Sequence, residues 1–252
     1  MANPVLSKNK MFNPPQSQSS GVSPLRGEPV AEAMTVESTI VKTASLFGIL
    51  LVAAGVGWFI NSMPLTLLAV GVGFVLALVN SFKKEPSVPL IMAYSLFQGL
   101  AVGGLSVAFE SIYPGVVVQA VLATLVTVGV VLALFASGKI RASARATKIF
   151  IVATVSYLVF SVINLILSAT NIIPEPFGVY SQPVFGIPLG IIIGVLAILL
   201  ASYSLVLDFT YIKNGADNRI ASKYEWLAGY GIVASVVWIY LEFLRIFALA
   251  RN

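Results

Sequence analysis

The chain has 252 residues, of which 58% are hydrophobic and only 10% are charged, and its formal net charge is +5. Soluble domains carry about 25% charged residues, so we predict an integral membrane protein with most of its length in lipid. Cysteine and histidine are both absent, which excludes disulfides, thiolate chemistry, Ser-His nucleophiles and histidine metal sites. Any response to pH near neutrality must therefore come from buried carboxylates.

The N-terminal segment, up to about residue 38, is rich in proline, serine, asparagine and glutamine. It lacks the charged, apolar and small-residue regions that follow one another in a signal peptide. Because it has too little apolar surface to offset the entropy of ordering, we predict a flexible cytoplasmic tail over residues 1–38. A docking role for this tail is the alternative. Residues 39–252 are then the transmembrane domain.

Seven apolar stretches follow, each long enough to cross about 30 Å of hydrocarbon as a helix. They cover residues 43–61, 64–82, 88–109, 114–136, 148–170, 187–212 and 226–249. The breaks between them carry residues that are typical of turns, such as Pro114-Gly115 and Asn214-Gly215. The sequence therefore predicts an all-α integral membrane protein, a bundle of seven transmembrane helices.

Positive charge is distributed unevenly between the loops, and this distribution predicts the orientation of the bundle. Every Lys and Arg other than Arg245 and Arg251 lies in the tail, at its boundary with the first span, or near the second, fourth and sixth loops. Because positive loops stay in the cytoplasm, we expect the N-terminus in the cytoplasm and the C-terminus outside. The basic clusters are short and not interleaved with aromatics, so attraction to the lipid bilayer explains them and no nucleic-acid partner is expected.

Asp208 is the most informative residue, because it ends the apolar run of the sixth span. Its carboxylate meets the negative end of a helix dipole, and an ionised group costs roughly 2.5–3.5 kcal/mol at the bilayer centre and less near the surface. At 100° per residue, one arc of this helix contains Asp208 and the small residues Gly186, Gly190, Gly194, Ala197, Ala201 and Ser204. Small residues mark helix contacts in lipid, so we predict that Asp208 points into the bundle near its cytoplasmic side.

Two other spans carry polar and small residues on one face. In the third span these residues are Ser95, Gly99, Gly103, Ser106 and Glu110, with Gln98 at the edge. In the seventh span they are Ala228, Gly231, Ser235, Trp238, Glu242 and Arg245. Glu242 and Arg245 are three residues apart and can pair on their own helix, so they are either a structural ion pair or part of a polar pathway. Glu110 is either a residue of the span boundary or a functional residue. Glu225 begins the seventh helix, where the helix dipole favours an acid, so it is either a cap or a functional residue.

Several of these segments together resemble the Bax-inhibitor-like transmembrane family. The segments are residues 94–100, residues 206–210 and the helix from Tyr224 to Arg245. Asn3-Pro4-Val5, Tyr113-Pro114-Gly115, Glu225-Trp226 and the run from Tyr240 to Arg245 look like the actinobacterial branch. The similarity covers about residues 40–250. It implies a helical bundle around a central seventh helix, in a bacterial plasma membrane.

The resemblance also implies a function. Bacterial members of the family are described as pH-sensitive calcium leak channels, in which an acid at the end of the sixth span pairs with an acid in the seventh. Asp208 matches the first acid and is the candidate contact for a metal ion. The second acid would fall at about Ala234 or Ser235, and the glutamate common in the third-span motif is Gln98 here. The two-carboxylate pair therefore cannot be carried over intact.

We predict a membrane cation leak channel or transporter that conducts calcium and uses no cofactor. The candidate residues of its pathway or gate are Asp208, Glu242, Glu110, Glu225, Gln98, Ser235 and Arg245. The alternative is a non-transporting regulator that binds another membrane protein, such as a membrane protease.

An enzyme is not expected from this composition. The seventh span contains no lysine that could hold retinal, and the chain has no histidine for a rhomboid-type protease. An intramembrane aspartyl protease needs two apposed aspartates, but the aspartates of the chain are Asp208 and the loop residue Asp217.

Overall fold

The structure is a computed structural model, and it describes residues 33–175 and 177–251. Seven long helices dominate this part of the chain: α1 Val36–Ile60, α2 Met63–Phe82, α3 Val88–Ile112, α4 Val116–Ala136, α5 Ala144–Ala169, α6 Leu189–Asp217 and α7 Tyr224–Leu249. All seven are long and apolar enough to cross a membrane. The predicted all-α bundle of seven spans is confirmed.

The two largest differences from the predicted helix boundaries are at the start of α1 and the end of α6. Helix α1 already begins at Val36, because Thr35 caps it by accepting a hydrogen bond from the backbone of Ser38 at 3.1 Å. Its first turn thus lies within the predicted tail, of which residues 1–32 are outside the described part of the chain. Helix α6 continues to Asp217, so the predicted break at Asn214-Gly215 is wrong. A Cβ at Gly215 would lie 2.6 Å from Met34 Sδ, so this glycine provides room for a tertiary contact and does not end the helix.

Helix α7 is the centre of the bundle, as the resemblance implies. It packs against α1, α3, α4 and α6. Its side chains Val233, Val237 and Leu244 are at most 5% exposed and lie in the main hydrophobic cluster. The residues of α7 therefore face protein on several sides, whereas a peripheral span faces lipid on most of its surface.

Helices α1 and α3 approach each other closely at two glycines of α3. A Cβ at Gly99 would lie 2.3 Å from the carbonyl oxygen of Leu50, and one at Gly103 would lie 2.0 Å from that of Ala54. Only glycine fits between backbones at this separation. The predicted small-residue face of the third span is therefore a helix contact.

Helix α5 is the least integrated span. Only 6% of its apolar membrane-spanning stretch is buried inside the protein, compared with 50% in α3 and in α7. It packs against α6 and against the short 3-10 helix Gly178–Ser181. Asn164 of α5 holds this short helix, because its Oδ1 accepts a hydrogen bond from Val179 N at 2.7 Å.

The connection from α5 to α6 contains a hairpin that the sequence analysis did not predict. Strand β1 covers Pro183–Val184 and pairs antiparallel with β2, Ile187–Pro188. Gly186 lies in the turn with a φ of 81°, a conformation that suits glycine. It therefore precedes α6, and its inclusion in the small-residue arc of that helix is wrong.

The two ends of the bundle differ in charge. The basic end, which carries Lys42, Lys84 and Lys223, contains the N-termini of α1, α3, α5 and α7. A salt bridge of 3.0 Å from Lys223 to Glu85 joins two of its loops. At the opposite end, Arg251 donates a hydrogen bond of 2.5 Å to the carbonyl of Pro114. The cytoplasmic location of the basic end stays a prediction.

Candidate functional site

Asp208 lies in the last third of α6 and its side chain faces α7. Its Oδ2 accepts a hydrogen bond of 2.6 Å from the Ser235 hydroxyl. Ser235 Oγ is also 3.0 Å from Ser204 Oγ, one turn before Asp208 on α6. A Cβ at Gly231 of α7 would lie 2.5 Å from Asp208 Oδ1. A glycine and a serine of α7 thus provide the space and the hydrogen bond for this carboxylate.

Small residues of α6 bring the two helices together. Ala197 and Ala201 are fully buried. A Cβ at Gly190 would lie 2.5 Å from Leu249 Cδ1, and one at Gly194 would lie 2.6 Å from Ile246 Cγ1. Because these residues share one face with Asp208, the contact with α7 also turns Asp208 away from lipid. The predicted direction of the Asp208 side chain is confirmed.

The side-chain partner of Asp208 is a hydroxyl and not a second carboxylate. Ser235 is one of the two positions at which the resemblance would place the second acid. Along α7, Glu242 is seven residues and Glu225 ten residues from Ser235, or about 10 Å and about 15 Å at 1.5 Å per residue. Among the described residues, no salt bridge involves Asp208. Within the part of the chain that the structure describes, the carboxylate therefore has a polar contact but no basic partner.

A metal ion at Asp208 would need oxygen ligands other than carboxylates. Within residues 33–175 and 177–251, no three or more His, Cys, Asp or Glu side chains are grouped so that they could hold a metal. The nearby oxygens are the hydroxyls of Ser204 and Ser235. Oxygen atoms of this kind suit a hard cation that keeps part of its water shell.

Glu225 connects the first turn of α7 to the start of α1. Its Oε1 accepts a hydrogen bond of 2.8 Å from Thr35 N, and its Oε2 accepts one of 2.7 Å from Ser38 Oγ. Lys42 Nζ lies 2.5 Å from the same Oε2. The carboxylate is completely buried, and the contacts of both oxygens are with α1 and the residue that caps it. Glu225 is thus not the partner of Asp208.

Glu242 and Arg245 form an ion pair of 2.5 Å near the opposite end. Glu242 Oε1 also accepts hydrogen bonds from the Tyr157 hydroxyl of α5 and from Trp238 Nε1. The Arg245 guanidinium lies 4.3 Å from the centre of the Tyr180 ring. The pairing expected from their spacing is confirmed, and aromatic residues surround it.

Glu110 and Gln98 lie away from Asp208. Glu110 accepts hydrogen bonds from the backbone N–H groups of Gly115 at 2.5 Å and Val117 at 3.0 Å, so it caps the start of α4. Gln98 Oε1 would lie 3.1 Å from a Cβ at Gly73, so its side chain is directed toward α2. The structure therefore brings together Asp208 and Ser235 from the candidate set, and separately Glu242 and Arg245.

Tyr157 and Lys42 are polar partners that the sequence analysis did not single out. The sequence contains a pattern that indicates Tyr157, because polar residues of α5 recur at intervals of three, four or seven positions: Thr147, Thr154, Tyr157, Ser161 and Asn164. That spacing places them on one helix face. Lys42 is a single basic residue at a span boundary, and its sequence context does not indicate its partner.

The sequence of this chain matches the model of a protein family that is described as Bax inhibitor 1 like. The match covers residues 3–252, which includes all seven helices and the Asp208 site. A comparison with curated proteins finds no match. The assignment to an actinobacterial branch stays a prediction. A family match over almost the whole length, together with the seven-helix fold around α7, shows that the chain belongs to the Bax inhibitor 1 like family.

Proposed function

We propose that this protein is a cation leak channel or transporter in which Asp208 binds the passing ion or gates its path. The proposed ion is calcium, and the proposed location is a bacterial plasma membrane with the basic end in the cytoplasm. The observation that carries the proposal is the hydrogen bond of Asp208 to the Ser235 hydroxyl in the interior of a spanning bundle. Intramembrane carboxylates are rare, and they commonly mark ion or proton paths.

The two acids of α7 support this choice by contrast. Glu225 has Lys42 within 2.5 Å and Glu242 has Arg245 at the same distance. Their charges are balanced by the protein itself. Among the described residues, Asp208 accepts a hydrogen bond from the Ser235 hydroxyl and takes part in no salt bridge, so its negative charge remains available to attract a cation.

The proposed gate uses one carboxylate instead of two. When Asp208 is ionised it accepts a hydrogen bond from the Ser235 hydroxyl, and when it is protonated it can donate a hydrogen bond to that oxygen. Protonation removes the charge that attracts the cation and reverses the hydrogen bond. We therefore expect a pH dependence that follows the uptake of one proton, whereas two coupled acids would give two steps.

Calcium flux into liposomes that contain only the purified protein tests the proposal. We expect the calcium flux to decrease as the pH falls from about 8 to about 5, because protonation of Asp208 removes the charge that attracts the cation. We expect Asp208→Asn to remove this pH dependence. Ser235→Ala should shift the profile, since it deletes the hydrogen bond to Asp208. Glu110→Gln is the matched control, because it also exchanges a carboxylate for an amide but at a helix cap.

Two outcomes would contradict the proposal. The absence of flux at every pH in that range would exclude transport and would favour the non-transporting regulator that binds another membrane protein. A pH profile that is the same in Asp208→Asn and in the unmodified protein would exclude Asp208 as the gate.

A further inference from the structure

Apolar side chains close the Asp208 site toward the basic end. Ile212 follows Asp208 by one turn of α6, and Ala228 precedes Gly231 by about one turn of α7. These two residues belong to a hydrophobic cluster. It consists of Met34, Ile212 and Ala228, with Phe209, Tyr211 and Ile232 packed against it. This cluster lies between Asp208 and the basic end of the bundle.

One member of the cluster does not belong to the helical bundle. Met34 precedes α1, yet it is only 2% exposed. Its backbone N–H donates a hydrogen bond of 2.6 Å to the carbonyl of Ile220, and Ala33 pairs with Ala221 in an antiparallel bridge. Residues 33–35, which we call the strap, therefore lie across the connection between α6 and α7.

Glu225 fastens the strap and the first turns of α1 to α7. It accepts hydrogen bonds from Thr35 N, Ser38 Oγ and Lys42 Nζ. Glu225 begins α7, which also carries Ser235 and Gly231 of the Asp208 site. The position of the strap is thus linked to the helix that holds the site.

The strap is attached by few interactions compared with a helix. Among the described residues, its contacts with α6, α7 and their connection include the buried Met34 side chain, the backbone bridge, the bond from Met34 N to Ile220 O and the bond from Thr35 N to Glu225. Thr35 also caps α1. Segments with few buried contacts open locally at a lower free energy than the core. We propose that the strap is a removable plug and that its departure exposes Asp208 to the basic end. The strap would control access to Asp208 whether or not the protein transports ions. An effect of the strap on ion flux rests on the proposed function.

A single introduced cysteine can report the opening, because the chain contains no cysteine. Ser235→Cys places a thiol next to Asp208, at a position that is 3% exposed. The measurement is its rate of labelling by a water-soluble maleimide in the purified full-length protein. We expect Met34→Ala to raise this rate at least tenfold, and Glu225→Gln to raise it by a smaller factor.

Two control thiols separate local opening from general loosening. Ser137→Cys lies in an exposed loop at the basic end, and its labelling should not respond to Met34→Ala. Ser106→Cys lies in α3 at a position that is 4% exposed, and it should stay protected. Equal acceleration at Ser106→Cys and Ser235→Cys would contradict a local plug.

A disulfide between residues 33 and 221 tests whether a strap that is held in place protects the Asp208 site. Ala33 and Ala221 are paired, and Cα atoms of antiparallel pairs lie about 4.5–5.5 Å apart, within the reach of a disulfide. In Ala33→Cys/Ala221→Cys, the oxidised bond should slow the labelling of Ser235→Cys at least tenfold. Labelling of Ser235→Cys that is unchanged both by this bond and by Met34→Ala would overturn the plug. Plug-dependent labelling in a protein without calcium flux would instead overturn the proposed function alone.

Discussion

The Asp208 region and the Glu242 region both involve the central helix α7, but they differ in how the protein treats the charge of the carboxylate. Glu242 is 4% exposed and is paired with Arg245 at 2.5 Å. Asp208 is bonded to the Ser235 hydroxyl at 2.6 Å, and among the described residues it takes part in no salt bridge. The location of an acid within a span therefore does not define its role. The two sites are distinguished by whether a counter-charge lies beside the acid.

The comparison favours the structural interpretation of Glu242 and Arg245. The pair is enclosed by Tyr157 and Tyr180, and hydrogen bonds from Tyr157 and Trp238 satisfy one carboxylate oxygen. A buried pair of this kind is strongly coupled, since removal of one partner leaves an uncompensated charge. A cation would find less negative charge there than at Asp208.

The largest expected effect follows removal of Arg245. Arg245→Gln should lower the free energy of unfolding by about 3–5 kcal/mol, because Glu242 is left in a buried position without its counter-charge. Thermal or denaturant unfolding in detergent measures the change. The double variant Glu242→Gln/Arg245→Gln should regain much of the loss, and a double variant as unstable as the single one would contradict charge coupling.

A smaller effect is expected at Glu225. Glu225→Gln should lower the free energy of unfolding by about 1–3 kcal/mol, since it weakens a charge-assisted hydrogen bond. Lys42 is 22% exposed in its side chain and can turn to water, which limits the cost. Glu37→Gln in the first turn of α1 is the control for loss of an exposed negative charge. An equal change in both variants would show that the Glu225 contacts contribute nothing.

The smallest effect on stability is expected at Asp208. Asp208→Asn retains an oxygen that accepts the Ser235 hydroxyl and leaves no salt-bridged cation unpaired among the described residues. We expect the free energy of unfolding to change by less than about 1 kcal/mol, while the pH dependence of flux is lost. A destabilisation as large as that of Arg245→Gln would show that Asp208 has a structural role, as Glu242 does.

Much of the Asp208 site could be predicted from local spacing. The small residues of α6 share a face with Asp208, and this periodicity alone directed the carboxylate toward a neighbouring helix. The pairing of Glu242 with Arg245 was equally accessible, because residues three apart on a helix are neighbours. Ser235 was reached through the family resemblance, by its position relative to Tyr224 and Trp226.

Contacts between distant segments were not accessible in this way. The Tyr157 bond to Glu242 joins residues 85 positions apart, and the Thr35 bond to Glu225 joins residues 190 positions apart. The same limit explains the wrong break at Asn214-Gly215, where local turn preference was overridden by the contact of Gly215 with Met34.

The sequence by itself determined the membrane class, the number of spans and the direction of the Asp208 side chain. These properties depend on hydropathy and helical period, which act over a few consecutive turns. Only the tertiary structure decided which acids have a counter-charge, that Glu225 binds the start of α1, and that Met34 packs against Ile212 and Ala228. The physical reason is that a charge is compensated by groups that lie within about 4 Å of it. The packing of the helices determines which groups lie that close, however far apart they are along the chain.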